Sequence, residues 1–218
     1  MAKVLRLSGE PSRTLMEEVA VVVRQHGVIA VPTESFYALA ASVGSPAGLE
    51  RVMAIKGRLA GKPILVLIAE RSELDALIVE ATPAATVLMD RFWPGPLTIV
   101  FKASPAVPAA LTAGTGTIGV RQPSHRILLP LLHQTGPLTG TSANRSGGPP
   151  PATADQVEVA LGTDIDLIVD GGPTRGGLPS TVLDATGPVR LLREGPISCH
   201  QIRRALLDAG VAPKDLSL

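Results

Sequence analysis

Short apolar runs alternate along the chain with longer segments whose apolar residues recur at helical spacing, and that alternation predicts an α/β protein. Val4 to Leu7 reads as a first strand. Pro11 to His26 then predicts a helix, because Leu15, Val19, Val22 and Val23 fall on one face and Gly27 supplies a stop. Val28 to Val31 is a buried strand ended by Pro32, and Tyr37 to Val43 is another, after the polar turn Thr33-Glu34-Ser35. A short helix is predicted from Pro46 to Ile55, with Ser45 as its N-cap and Pro46 at its first position.

Ile64 to Ile68 reads as a strand, followed by helices near Ser72 to Val79 and Pro83 to Phe92. Trp93-Pro94-Gly95-Pro96 must turn sharply, since prolines flank the glycine, and Leu97 to Phe101 resumes the sheet. Thr117 to Arg121 is a strand, His125 to Gln134 a helix, and Leu138 to Thr141 a short strand running into Ser142-Ala143-Asn144. After the Gly/Pro loop at 147–151 come a helix from Thr153 to Leu161 and a strand from Leu167 to Asp170. A glycine-rich loop at 171–177 precedes two strands, Val182 to Asp184 and Val189 to Arg193, which should pair around Gly187-Pro188. A last helix is predicted from Ser198 to Ala209. No internal repeat or long linker interrupts this series, so residues 1–218 are expected to form a single domain.

Composition narrows the class. Hydrophobic residues make up 45% and charged residues 18%, the balance of a globular chain rather than a disordered one. Aromatics are only 2%, so the core must be aliphatic. The formal charge is +1, which excludes a strongly cationic protein and gives no general case for nucleic-acid binding. Cys199 is the sole cysteine, which rules out an intramolecular disulfide and a cysteine zinc cluster. His26, His125, His133 and His200 are scattered without metal-ligand spacing. No apolar h-region follows the N-terminus and no apolar stretch reaches the ~20 residues of a membrane span, so a cytoplasmic protein is expected.

Two polar motifs carry the chemistry. Lys56-Gly57-Arg58, with Lys62-Pro63 after it, and Thr141-Ser142-Ala143-Asn144 each lie beside an apolar run. Cations neutralise phosphate charge and small hydroxyl or amide groups fix its orientation, so a nucleotide is the first ligand these residues suggest.

The order of motifs resembles the YrdC-like family, the threonylcarbamoyl-AMP synthases. The matching landmarks are Pro32-Thr33-Glu34-Ser35-Phe36-Tyr37, Lys56-Gly57-Arg58, Lys62-Pro63, Trp93-Pro94-Gly95-Pro96-Leu97-Thr98 and Gly119-Val120-Arg121-Gln122-Pro123. Ser142-Ala143-Asn144, Asp170-Gly171-Gly172, Ser180-Thr181-Val182 and Leu192-Arg193-Glu194-Gly195 continue the series, which covers about Gly9 to Leu207. The resemblance implies a twisted, mostly mixed β-sheet with helices packed around a concave cavity. The implied reaction joins L-threonine, bicarbonate and ATP into threonylcarbamoyl-adenylate and pyrophosphate, a nucleotidyl transfer, with Mg²⁺ accompanying ATP. A tRNA-modifying transferase complex is the implied downstream partner. The chain length resembles the short single-domain form.

The same resemblance implies roles for individual residues. Lys56 and Arg58 are expected to act catalytically on the phosphates, and Arg58, Lys62, Thr117, Ser142, Asn144 and Arg193 to bind ATP. Arg121 is expected on the amino-acid carboxylate, with Ser35, Ser180, Thr33 and the backbone of Gly140 around threonine; no residue is expected to hold a metal, and Glu34, Asp170 and Asp184 are expected to be structural. Three positions depart from the family pattern: Ser35 replaces a threonine, Ala38 a glycine, and Leu67 stands where two-domain relatives carry a histidine. Two other classes compete. One is an RNA-binding paralogue whose cavity would take tRNA or double-stranded RNA phosphates, although five aromatics offer few stacking platforms. The other is a carbamoyl-handling domain like that of hydrogenase-maturation proteins.

Overall fold

The mixed α/β architecture is observed, with the strands divided between two sheets. The computed structural model describes residues 1–7, 9, 11–57 and 63–212, so Arg58 and Lys62 lie outside the described residues. The chain begins with β1 (Lys3–Arg6), α1 (Arg13–Arg24), β2 (Ile29–Pro32), β3 (Tyr37–Ala40), α2 (Pro46–Lys56) and β4 (Val66–Leu67). Next come α3 (Pro83–Phe92), β5 (Leu97–Lys102), α4 (Ala109–Thr112), β6 (Thr117–Arg121), α5 (Leu128–Thr135), β7 (Leu138–Thr139) and β8 (Thr141–Ser142). It ends with α6 (Ala154–Leu161), β9 (Leu167–Asp170), β10 (Thr181–Asp184), β11 (Arg190–Arg193) and α7 (Cys199–Asp208).

The first sheet runs β1-β9-β2-β3-β8 and the second β11-β10-β5-β6-β4-β7. Both faces of the first are covered. Ile29, Val31, Ala38 and Ala40 pack on Met16, Val19 and Val23 of α1 and Leu128, Leu131 and Leu132 of α5. Ala30, Tyr37 and Leu39 share a cluster with Leu49 and Val52 of α2 and Val157 and Leu161 of α6. The second sheet follows the period of two along its strands. Ile99, Phe101, Ile118, Val120 and Leu183 enter the same cluster as Leu88 and Met89 of α3 and Ile202 and Leu206 of α7. Their neighbours Thr98, Val100, Thr117, Gly119, Arg121 and Val182 point the other way and line a cavity.

Local chemistry sets the boundaries. Ser45 caps α2 as expected, accepting from Gly48 N at 3.0 Å, and Gly57 closes it in the left-handed region at φ 55°. α1 stops earlier than its apolar pattern suggests, and it is His26, at φ 64°, that takes the left-handed turn rather than Gly27. The His26 ring lies 2.9 Å from Ser45 Oγ, which holds it in that conformation. Gly27 serves packing instead: a Cβ there would lie 2.5 Å from Val22 Cγ1.

The helix expected over Ser72 to Val79 is a short 3₁₀ turn, Arg71–Ala76. Glu73 closes its start by accepting from Ala69 N at 2.6 Å and Glu70 N at 2.9 Å, and the buried Leu77 and Ile78 leave it to pair with the chain at the end of β5, Val79 N donating to Lys102 O at 3.0 Å. α4 is a single turn, too short to show periodicity in sequence.

The segment expected as one strand from Leu138 to Thr141 is two. β7 pairs with β4 in the second sheet, β8 pairs with β3 in the first, and Gly140 alone lies between them. A Cβ at Gly140 would sit 2.6 Å from Leu67 Cγ, so only glycine fits this crossing. Gly140→Ala is therefore expected to cost about 1–3 kcal/mol in urea unfolding. Adding Leu67→Ala should relieve the clash, making the double variant less destabilised than the sum of the single ones.

Candidate functional site

A cavity of about 650 Å³ opens between the two sheets, and it collects most of the polar residues singled out above. Thr33, Ser35, Gly140, Ser142 and Asn144 come from the first-sheet side and the crossing; Thr117, Arg121, Ser180 and Arg193 come from the second-sheet side. Apolar side chains, among them Leu65, Leu67, Val100, Val182 and Leu192, fill the surface between them.

Lys56 is the exception among the described candidates. It is buried behind the wall at 3% exposure and does not line the cavity. Its Nζ donates to Ser142 O at 2.7 Å, Asn144 O at 2.6 Å and Asn144 Oδ1 at 2.9 Å. The three N–H bonds of an ammonium thus have acceptors within the Ser-Ala-Asn loop. The loop returns the contact through Ser146 Oγ, which donates to the Lys56 carbonyl. Ser142 Oγ donates to Asn144 Oδ1 at 2.6 Å, and Asn144 Nδ2 to the Gly148 carbonyl. Lys56 therefore shapes the loop from behind, through Ser142 and Asn144, which line the cavity.

Arg121 stands at the end of β6 and is 4% exposed. Nε donates to Gly95 O at 2.9 Å, and Nη2 pairs with the Glu34 carboxylate. Gly95 belongs to the turn after α3, which is braced by Trp93 Nε1 on Leu97 O at 2.7 Å and by Gly95 N on Gln122 O at 2.8 Å. Burial lowers the pKa of Arg121, against the opposing pull of Glu34, yet an arginine stays charged. Glu34 accepts also from Ser124 N and, at 2.9 Å, from Ser124 Oγ. Burial alone would raise its carboxyl; Arg121 and the Ser124 N–H outweigh it and hold it below the usual carboxylate value.

Farther along the second sheet, Arg193 wraps Ser180, with Nη2 on Ser180 O at 2.8 Å, Nε on the same oxygen at 3.1 Å and Nη2 on Ser180 Oγ at 3.2 Å. Burial, and after it the Arg121 charge, push the Arg193 guanidinium down. The two cations, both on the second-sheet side, repel each other and make that side of the cavity positive. Ser180 Oγ lies 2.9 Å from Thr98 Oγ1. Thr98 had no expected role; the signal was a hydroxyl alternating with the core residues Leu97, Ile99 and Phe101. Tyr37 is a second omission: its Oη donates to Gly172 O at 2.8 Å and ties down the glycine-rich loop.

Thr33 commits its hydroxyl to the turn, donating to Phe36 O at 2.7 Å and accepting from Ser35 N at 3.2 Å. Gly140 N donates to Leu65 O at 2.7 Å, so the backbone atom it can offer a ligand is its carbonyl oxygen. Thr117 Oγ1 lies 2.9 Å from Thr115 Oγ1 at the cavity mouth. The expected structural carboxylates behave as such: Asp170 accepts from Gly172 N at 3.0 Å, and Asp184 from Thr186 Oγ1 at 2.7 Å and from Arg190. Among the described residues no His, Cys, Asp or Glu cluster could hold a metal ion. No helix there is long and apolar enough to cross a membrane.

Residues 21–195 match the Sua5/yciO/yrdC family, described as Telomere recombination. The chain belongs to this family. A threonylcarbamoyl-AMP synthase of Pyrococcus abyssi is 38% identical over 193 residues, 88% of this chain and 57% of that protein. The synthase of Thiobacillus denitrificans is 39% identical over 168 residues, 76% of this chain and 89% of its own length. The crystal structure of Pyrococcus abyssi Sua5 complexed with L-threonine superposes with a TM-score of 0.89 at 36% identity, covering 94% of this chain and 61% of that one. The chain thus spans little more than half the length of its Pyrococcus family member.

Two outcomes follow for the site's framework. Lys56→Met strips the loop carbonyls of their donor and is expected to cost about 2–3 kcal/mol in guanidinium unfolding. Glu34 titrates lower in the folded than in the unfolded chain, so its stabilisation is full above the ordinary value of 4.5 and is lost as pH falls through the folded value. Thermal melts below pH 4.5 should therefore show a steeper acid loss in the native protein than in Glu34→Gln.

Proposed function

We propose that this protein is an L-threonylcarbamoyladenylate synthase, which makes threonylcarbamoyl-AMP and pyrophosphate from L-threonine, bicarbonate and ATP. The observation that carries the reading is the single cavity that holds a buried arginine on one side and a lysine-backed Ser-Ala-Asn loop on the other. Its likeness to a structure complexed with L-threonine supports the amino acid, and the loop and Arg193 suit the nucleotide.

Arg121 takes the threonine carboxylate, with Ser35, Ser180 and the Gly140 carbonyl around the amine and side-chain hydroxyl. Ser142, Asn144, Thr117 and Arg193 take the phosphates, joined by Arg58 and Lys62 from the segment after α2. Lys56 serves the phosphates through the loop that it holds. Threonine's amine adds to the carbon of bicarbonate, with loss of water, to give a carbamate. A carbamate oxygen attacks the α-phosphorus, the bond from that phosphorus to the bridging oxygen breaks, and pyrophosphate leaves with the electron pair. No described side chain acts as a nucleophile in this scheme; positioning the reactants and stabilising charge do the work. Among the described residues no carboxylate lines the cavity, so Mg²⁺ would enter on the triphosphate as part of the substrate. The adenylate would then pass to a transferase that modifies tRNA.

Purified protein with Mg-ATP, bicarbonate and L-threonine should release pyrophosphate, and omitting either threonine or bicarbonate should abolish the release. ATP binding without that dependence would rule the synthase reading out. Arg121→Ala should raise the KM for threonine at least about tenfold, the loss of about 1.4 kcal/mol or more of a charge-assisted contact. Arg193→Ala should act on the KM for ATP instead.

A further inference from the structure

Glu34 lies behind the cavity wall, while the arginine that it pairs with lies in it. The pair has a specific geometry. Nε and Nη2 form one edge of a guanidinium, and on Arg121 both atoms of that edge are engaged, Nε by the Gly95 carbonyl and Nη2 by Glu34. One hydrogen bond would leave the planar group free to turn about it; two on the same edge fix its plane. What remains is the outer edge, where Nη1 and Nη2 present parallel N–H bonds suited to both oxygens of one carboxylate.

Glu34 is itself held. Ser124 donates to it through both backbone and side chain, and the Thr33 hydroxyl closes the turn in which it sits. The orienting chain therefore runs from the Thr33 turn through Glu34 to Arg121, with the Gly95 turn as a second, independent support.

We propose that Glu34 is a positioning residue for amino-acid recognition, setting Arg121 so that only its outer edge meets the substrate and grips a single carboxylate end-on. This role rests on the synthase reading. A purely structural ion pair would neutralise a buried charge and support the fold. A positioning pair must in addition act on one substrate and not on the other.

The test is pyrophosphate release by wild type, Glu34→Gln and Glu34→Ala, with threonine and ATP varied in turn and a melting temperature for each protein. Glu34→Ala is expected to raise the KM for threonine about tenfold or more and to leave that for ATP within about twofold. Glu34→Gln keeps an oxygen for Nη2 without the charge and should fall between. A folded Glu34→Ala with an unchanged KM for threonine overturns the proposal, as do equal rises for both substrates. If Glu34→Ala does not fold, the same split in Glu34→Gln decides. A wild type without threonine-dependent release overturns the synthase reading, and this role with it, an outcome distinct from an active wild type whose variants do not discriminate.

Discussion

The Lys56 ammonium is the contact on which the Ser-Ala-Asn side of the cavity depends. Burying an ion of that size costs several kcal/mol even after relaxation, and breaking such an arrangement costs more than never having had it. The carbonyls of Ser142 and Asn144 and the amide oxygen of Asn144 offset that cost, but only if the loop folds back over the end of α2. The loop conformation is thus enforced by a charge that has nowhere else to go. Gly57, in the left-handed region, ends the helix where Lys56 can reach the loop.

The second-sheet side is built on a different principle. Arg121 and Arg193 sit on β6 and β11, each tied to backbone carbonyls rather than left to move. Only Arg121 has a carboxylate partner, and it lies outside the cavity lining. The interior therefore keeps a positive field from groups that need no reorganisation when an anion arrives. The apolar surface between them lowers the local dielectric and strengthens that field.

Most elements were legible in the sequence because they follow simple periods: the amphipathic α1 and α7, the alternation of β5 and β6, and the Ser45 cap of α2. The candidate residues were legible as a series of motifs, and nearly all of those described line one cavity. What escaped was what local pattern does not encode. Hydropathy cannot say that Leu138 and Thr141 belong to different sheets, because both are ordinary strand residues and the division is made by a glycine against Leu67. Nor does it tell a lysine that points into a cavity from one that points beneath a loop, since the end of a helix permits both. Thr98 and Glu34 stood in plain view inside motifs, but their partners are 82 and 87 positions away.

The crossing at Gly140 also governs how the cavity can change width. Thr139 and Thr141 are two residues apart in different sheets, so their Cα atoms can never be more than about 7 Å apart. The bridge between Ser42 and Leu138 adds a second stitch at the same margin. β7 and β8 are each the outermost strand of their sheet, so the two sheets meet along a seam. Toward the opposite margin, at β10 and β11, the chain crosses from the first sheet by the longer run from Asp170 to Thr181. At the seam the two sheets behave like pages sewn at the spine, and the width of the cavity there is set by covalent geometry.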